Sequence, residues 1–209
     1  MGVIKVHLRK LKLNVIKRAA DILRAGGVII YPTDTAYGLG VDALNDNAIK
    51  KLYRIKGRDF SKPTHVIVPN WSWIMVLTYP NENAKKLYEA FMPGPLTIVL
   101  NKKPVTPDIL TADLPTLGIR IPNNDITKLI SRFFNAPYTT PSANKSGGKT
   151  PYSIEDVKEE LDISKVDLIL DAGKLPELLP STIVDISITP PKILRKGLIS
   201  EKNIEEVLG

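Results

Sequence analysis

Five short islands gather the side chains of this sequence that can do chemistry. They are Tyr31 to Gly40, Lys56-Gly57-Arg58, Gly118 to Pro122, Pro141-Ser142-Ala143-Asn144, and Leu194 to Gly197. They supply the cations Lys56, Arg58, Arg120 and Arg195, the hydroxyls of Thr33, Thr35 and Ser142, and the amide of Asn144. Cations two residues apart can surround one phosphate, and arginine can grip it through two parallel hydrogen bonds. The hydroxyls remain for a small polar molecule. The inventory suits a polyanion such as a nucleoside triphosphate beside a small polar co-substrate.

Elements of alternating type must position these islands. Asn14 to Ala25 has helical apolar spacing and ends at Gly26-Gly27. Val28 to Tyr31 is a short apolar strand closed by Pro32. Asp46 to Lys56 reads as a helix with Asn45 or Asp46 as its cap. Strands are expected at 65–68, 96–100, 138–140, 166–170, 182–186 and 193–194. Helices are expected at 81–91, 126–134, 153–161 and 200–208, and Ser153 with Asp156 forms a capping-box pattern. The alternation gives an α/β fold. Thr33 to Thr35, Ser142 to Asn144 and Arg195 all fall just past the end of an apolar strand, where ligands of open α/β sheets bind.

Composition sets the outer bounds. The chain has 209 residues and no linker or repeat, so a single domain over 1–209 is expected. With no cysteine, a disulfide framework, a thiol nucleophile and a cysteine metal site are excluded. A reducing cytoplasmic setting fits that composition. No apolar run approaches the roughly 20 residues that span a bilayer, so no membrane partner is expected. The formal charge of +7 favours acidic partners: nucleotides, RNA or anionic surfaces.

Two motifs are set aside. Gly147-Gly148-Lys149-Thr150 resembles the end of a P-loop, but position 143 is alanine where glycine is needed, and Pro151 interrupts the helix that should follow. Gly38-Leu39-Gly40 lacks the third glycine of a dinucleotide fingerprint. The two histidines, His7 and His65, form no cluster, so no dedicated metal cage is expected. His7 reads as a surface residue. Few aromatics are present, which argues against a stacking surface for single-stranded nucleic acid.

The islands, in order, resemble the threonylcarbamoyl-adenylate synthase family, or YrdC-like domain, over about residues 25–197. The motifs that carry the resemblance are Tyr-Pro-Thr-Asp-Thr-x-Tyr-Gly-Leu-Gly from Tyr31, Lys-x-Arg at Lys56 and Arg58, and Pro-Gly-Pro-Leu-Thr at 93–97. They continue with Gly-x-Arg-x-Pro at 118–122, Pro-Ser-Ala-Asn-x-Ser-Gly at 141–147, Ser-Thr-Ile-Val-Asp at 181–185 and Leu-Arg-x-Gly at 194–197. The resemblance implies a single α/β domain with a twisted mixed sheet, flanking helices and a deep basic cavity. It implies that L-threonine, bicarbonate or CO2, and ATP give threonylcarbamoyl-adenylate and pyrophosphate. The product would feed a separate complex that transfers threonylcarbamoyl to tRNA.

Site roles follow from the same resemblance. Lys56 and Arg58 match the family pair that binds the triphosphate and carries catalysis. Lys62, Thr116, Ser142, Asn144, Thr150 and Arg195 match ATP-contact positions. Thr35, His65, Arg120, Thr140 and Ser181 match positions around threonine, with Arg120 on its carboxylate. Family members with a histidine after the Lys-x-Arg turn have it at the position of Ile67, and His65 stands two residues earlier on the same strand face. Mg2+ would be held mainly by ATP phosphates and water. Twelve residues follow Gly197, so the short form without a closing linker is expected. Two other readings compete: an RNA-binding module, and a paralogue that adenylates another carbamoylated amine. RNA binding by the synthase itself is expected to be weak and non-specific.

Overall fold

Apolar residues of the strands and of the helices packed on them build two cores, on opposite faces of one of two sheets. A computed structural model describes residues 2–7 and 12–209. In chain order the elements are β1 Gly2–Lys5, α1 Leu13–Arg24, β2 Ile29–Pro32, β3 Tyr37–Gly40, α2 Asp46–Lys56, β4 Val66–Ile67, α3 Trp71–Leu77, α4 Glu82–Phe91 and β5 Leu96–Asn101. They continue with α5 Asp108–Thr111, β6 Thr116–Arg120, α6 Asp125–Phe134, β7 Tyr138–Thr139, α7 Ile154–Glu160, β8 Leu168–Asp171, β9 Thr182–Asp185, β10 Lys192–Arg195 and α8 Glu201–Leu208.

The strands form two mixed sheets rather than one. The first has the order β1-β8-β2-β3 and the second β10-β9-β5-β6-β4-β7. In the first, β2 shows the alternation plainly. Ile29 and Tyr31 join a core with α1 and α6, while Val28 and Ile30 face the larger core shared by the remaining helices and the second sheet. A strand buried on both faces reads as continuously apolar, as Val28 to Tyr31 does.

Local chemistry explains the helix ends. The Asn45 side chain accepts from the Ala48 N–H at the start of α2, and Gly57 ends that helix at φ +54°, where a Cβ would be strained. The expected capping box at α7 is present, with Ser153 and Asp156 bonding reciprocally. Strands β1, β3 and β6 and helices α3 and α5 were not expected from periodicity. In β3 the cause is visible: a Cβ at Gly38 or Gly40 would meet the Tyr31 ring at 3.1 or 2.8 Å. Glycine there lets the hairpin close beneath a tyrosine, and it also hides the strand.

The two sheets meet along one seam. Gly38 bridges Ser142 and Asp42 bridges Tyr138, both antiparallel, so β3 of the first sheet adjoins the segment around β7 of the second. Backbone bonds from Leu39 N–H to Pro141 O (2.9 Å) and from Ala143 N–H to Tyr37 O (2.8 Å) fasten it. That seam brings the Thr33–Ala36 turn beside Ser142–Asn144.

Candidate functional site

A cavity of about 380 Å³ opens at the seam. Of the residues expected to form a site, the structure brings Thr35, Lys56, Arg58, His65, Arg120, Thr140, Ser142, Asn144, Thr150, Ser181 and Arg195 to its wall. Lys62 and Thr116 are not in the lining. Thr116 begins β6 and Arg120 ends it, so the strand rise separates them by about 13 Å. The Lys62 side chain is exposed, and its backbone carbonyl is the group engaged, accepting from Arg58 Nε at 3.2 Å and from the Tyr53 hydroxyl at 2.7 Å. Sequence reasoning missed Thr64 and Lys145 in the wall. Lys145 was within reach, since it occupies the variable place of Asn-x-Ser-Gly.

Lys56 ends α2 and is only 2 % exposed. Its amine donates to Ser142 O at 2.5 Å, to Asn144 O at 2.6 Å and to Asn144 Oδ1 at 3.2 Å. Three donors thus meet three oxygens. Burial and the neighbouring Arg58 guanidinium push its pKa down to about 7, with Glu160 opposing. The Ser142 hydroxyl donates to Asn144 Oδ1 at 2.6 Å, and Asn144 Nδ2 donates to Gly148 O at 2.8 Å. Arg58 is braced by its own turn, through Lys62 O and through Pro63 O at 2.7 Å.

The other end is built differently. Arg120 Nη2 pairs with Asp34 Oδ1 at 2.5 Å, and Nη1 donates to Thr35 Oγ1 at 3.2 Å. Asp34 Oδ2 is held in turn by the Asn123 N–H at 3.0 Å. Arg120 Nε and the hydroxyls of Thr140 and Thr64 are buried and have no hydrogen-bond partner among the described residues. Buried polar atoms without partners are few in native proteins, so their gathering at one end of the cavity is a distinguishing feature of that end.

Arg195 joins the two ends. The pairing of β10 with β9 slips between Ile193 and Arg195, and such a bulge re-aims a side chain. Arg195 then donates to Ser181 O at 3.0 Å and to Ser181 Oγ at 2.9 Å, and Ser181 Oγ lies 3.0 Å from Thr97 Oγ1. His65 sits among these cations. Burial first, then Arg195, Arg120, Arg58 and Lys56, push its imidazole down to about 3, so it is neutral near pH 7. Ile67, two residues on, is buried in the core with α1 and α6 instead.

Charge completes the description. Lys56, Arg58, Arg120, Lys145 and Arg195 face the cavity, and no carboxylate is among the described residues that line it. Such a site attracts an anion. Among the described residues no group of three or more His, Cys, Asp or Glu side chains could hold a metal ion, and no helix is long and apolar enough to cross a membrane.

Comparison with known proteins gives a consistent result. The Sua5/YciO/YrdC family model, which carries the description telomere recombination, matches residues 21–197. A Methanocaldococcus jannaschii protein provisionally named threonylcarbamoyl-AMP synthase is 41 % identical over 91 % of this chain and 88 % of its own. The Pyrococcus abyssi threonylcarbamoyl-AMP synthase is 36 % identical over 93 % of this chain, which spans 57 % of that longer protein. The crystal structure of P. abyssi Sua5 complexed with L-threonine superposes with a TM-score of 0.95 at 34 % identity, covering 100 % of this chain and 61 % of that one.

Proposed function

The chain belongs to the Sua5/YciO/YrdC family, and on that premise we propose that it makes threonylcarbamoyl-AMP from L-threonine, bicarbonate and ATP, releasing pyrophosphate. It would then be a nucleotidyltransferase whose product supplies a tRNA-modifying transfer complex. The observation that carries the reading is a cavity wall with five cationic residues and no carboxylate in its described lining, on which Thr35, Arg120 and Thr140 converge. The Arg120 guanidinium would face a carboxylate, and Thr140 an amino acid's polar groups. The cations at the opposite wall suit a polyphosphate. The cavity volume lies near the lower bound for small-molecule sites, about 300 Å³, so extended substrates would protrude through the opening.

The chemistry asks little covalent work of the protein. The amine of threonine takes up CO2 from bicarbonate as a carbamate, with loss of water. A carbamate oxygen attacks the α-phosphorus of ATP, and the bond to the pyrophosphate oxygen breaks. Such a step rests on alignment and charge stabilisation. Arg58 and Lys145 would face the leaving pyrophosphate, Ser142 and Asn144 the nucleotide, and Arg195 the junction. Mg2+ is written as part of the substrate, Mg·ATP, because the described lining offers it no carboxylate.

The test is pyrophosphate release by the purified protein. Release is expected only when ATP, Mg2+, L-threonine and bicarbonate are present together. Release that ignores threonine would count against the reading.

A further inference from the structure

The turn after Asn144 is gripped from outside the cavity by a carboxylate that belongs to none of the sequence motifs. Glu160 is the last residue of α7. Its Oε2 accepts from the Lys145 N–H at 3.3 Å, and its Oε1 from the Lys149 N–H at 3.2 Å. The turn between them closes with Gly148 N–H to Lys145 O at 2.9 Å, and Gly147 stands at φ +85°. A Cβ at Gly148 would meet the Glu160 carboxylate and push it aside, so glycine there leaves room for the close approach. On the inner side Asn144 Nδ2 holds Gly148 O, and Ser146 N–H donates to Lys56 O at 3.0 Å. The turn is therefore pinned from both sides.

Lys145 gives the grip a consequence. The other four cations of the cavity donate to protein oxygens. Lys145, whose backbone Glu160 holds, shows no acceptor for its ammonium among the described residues. We propose that Glu160 is a positioning residue. By holding the Lys145 and Lys149 N–H groups it fixes this turn against the cavity and presents the Lys145 ammonium to the polyphosphate of the nucleotide. The inference rests on ATP being the anion bound there. Glu160 lies outside the lining and repels phosphate, so it does not bind the ligand itself. A charged acceptor holds two N–H groups more firmly than water does.

Glu160→Gln is the informative substitution. It keeps the shape, but its amide has one acceptor oxygen, and its NH2 would oppose an N–H. One of the two bonds must break. The KM for ATP is expected to rise by about 10-fold, as for one lost hydrogen bond to a charged acceptor, with the KM for threonine unmoved. Lys145→Ala should raise the same constant, and the double variant should be no worse than the poorer single one. An unchanged KM for ATP, an equal rise for threonine, or multiplying effects would overturn the proposal.

Two readouts stand apart from substrate affinity. Amide exchange at one of Lys145 and Lys149 should accelerate in Glu160→Gln while Ser146 keeps its protection, and unchanged protection at both would sink the idea even if the ligand is not ATP. The second is the pH profile. Lys56 is faced by Arg58, by the neutral His65 and by Glu160, the group that supports its charge. Removing that carboxylate should move the alkaline limb of turnover to lower pH, and an unmoved limb would count against the coupling. Wild-type protein that releases no pyrophosphate would fail the functional reading, whereas altered exchange in the variant would still support the latch.

Discussion

Lys56 and Arg120 are both buried cations on one cavity, yet their surroundings differ in kind. The Lys56 amine meets three oxygens of the Ser142–Asn144 segment and has no donor left. Arg120 is paired to Asp34 and Thr35 on one side and keeps a buried Nε without a partner. A saturated group shapes the wall around it. An unsaturated one holds a cost of about 1–3 kcal/mol that a ligand can relieve. Charge divides the same way. Asp34 pairs directly with Arg120, so that end suits a zwitterion, while Glu160 acts on Lys56 only from outside the lining and makes no ion pair with it, so the Lys56 end suits a polyanion.

The largest expected effect tests the saturated end. Lys56→Met and Arg58→Ala should each lower turnover by about 10²-fold or more, the usual effect of losing one preorganised charge. They should differ in stability. Lys56→Met leaves Asn144 O without a donor, while Ser142 O keeps the Asn144 N–H and Asn144 Oδ1 keeps the Ser142 hydroxyl, and should cost about 1–3 kcal/mol in denaturant unfolding. Arg58 braces carbonyls of exposed residues, so Arg58→Ala should stay within about 0.5 kcal/mol. Equal stability of the two variants would break the contrast.

Substrate choice tests the unsaturated end. L-serine should be poorer than L-threonine by about 10–200-fold in kcat/KM, the range for one methyl group in an apolar niche. Equal efficiency would point to a site that holds some other amine. A smaller effect is expected for Thr140→Val. Its hydroxyl has no partner, so the apo protein should unfold at the same or higher denaturant concentration, while the KM for threonine rises by about 10-fold. A loss of stability would mean that the hydroxyl is satisfied within the fold.

How much of this was legible follows from the kind of signal. Helix α2 was readable because Asn45 caps it and Gly57 stops it locally. Strands β3 and β6 were not, because Gly38, Gly40 and Gly118 break the apolar alternation. Each of those glycines makes room for a distant side chain, Tyr31 or His65. The seam of two sheets depends on pairings between remote segments, which no window of sequence contains. The site residues were legible as ordered motifs, and all but Lys62 and Thr116 came to one wall. Their bonding was not. Nothing in Lys-x-Arg says that the lysine would be saturated by a loop some ninety residues on, or that Glu160 would grip that loop from behind.

The smallest effect expected is that of tRNA on the synthetic step. If the saturated end and Arg58 serve a nucleotide, they are unavailable to an RNA backbone, and the formal charge of +7 is left to act from the surface. Surface phosphate contacts without aromatic stacking or base-edge readers give weak, non-specific binding. That binding should fall by orders of magnitude between about 50 and 200 mM salt if several contacts form. The reaction product is a small-molecule anhydride, so its synthesis requires no RNA. Pyrophosphate release should therefore be the same with and without tRNA, and tRNA affinity at two salt concentrations should collapse at the higher one. A tight complex that survives the higher salt, or turnover that needs tRNA, would show that the cationic wall reads RNA. The division between a nucleotide end and an amino-acid end would then be wrong at its more charged half.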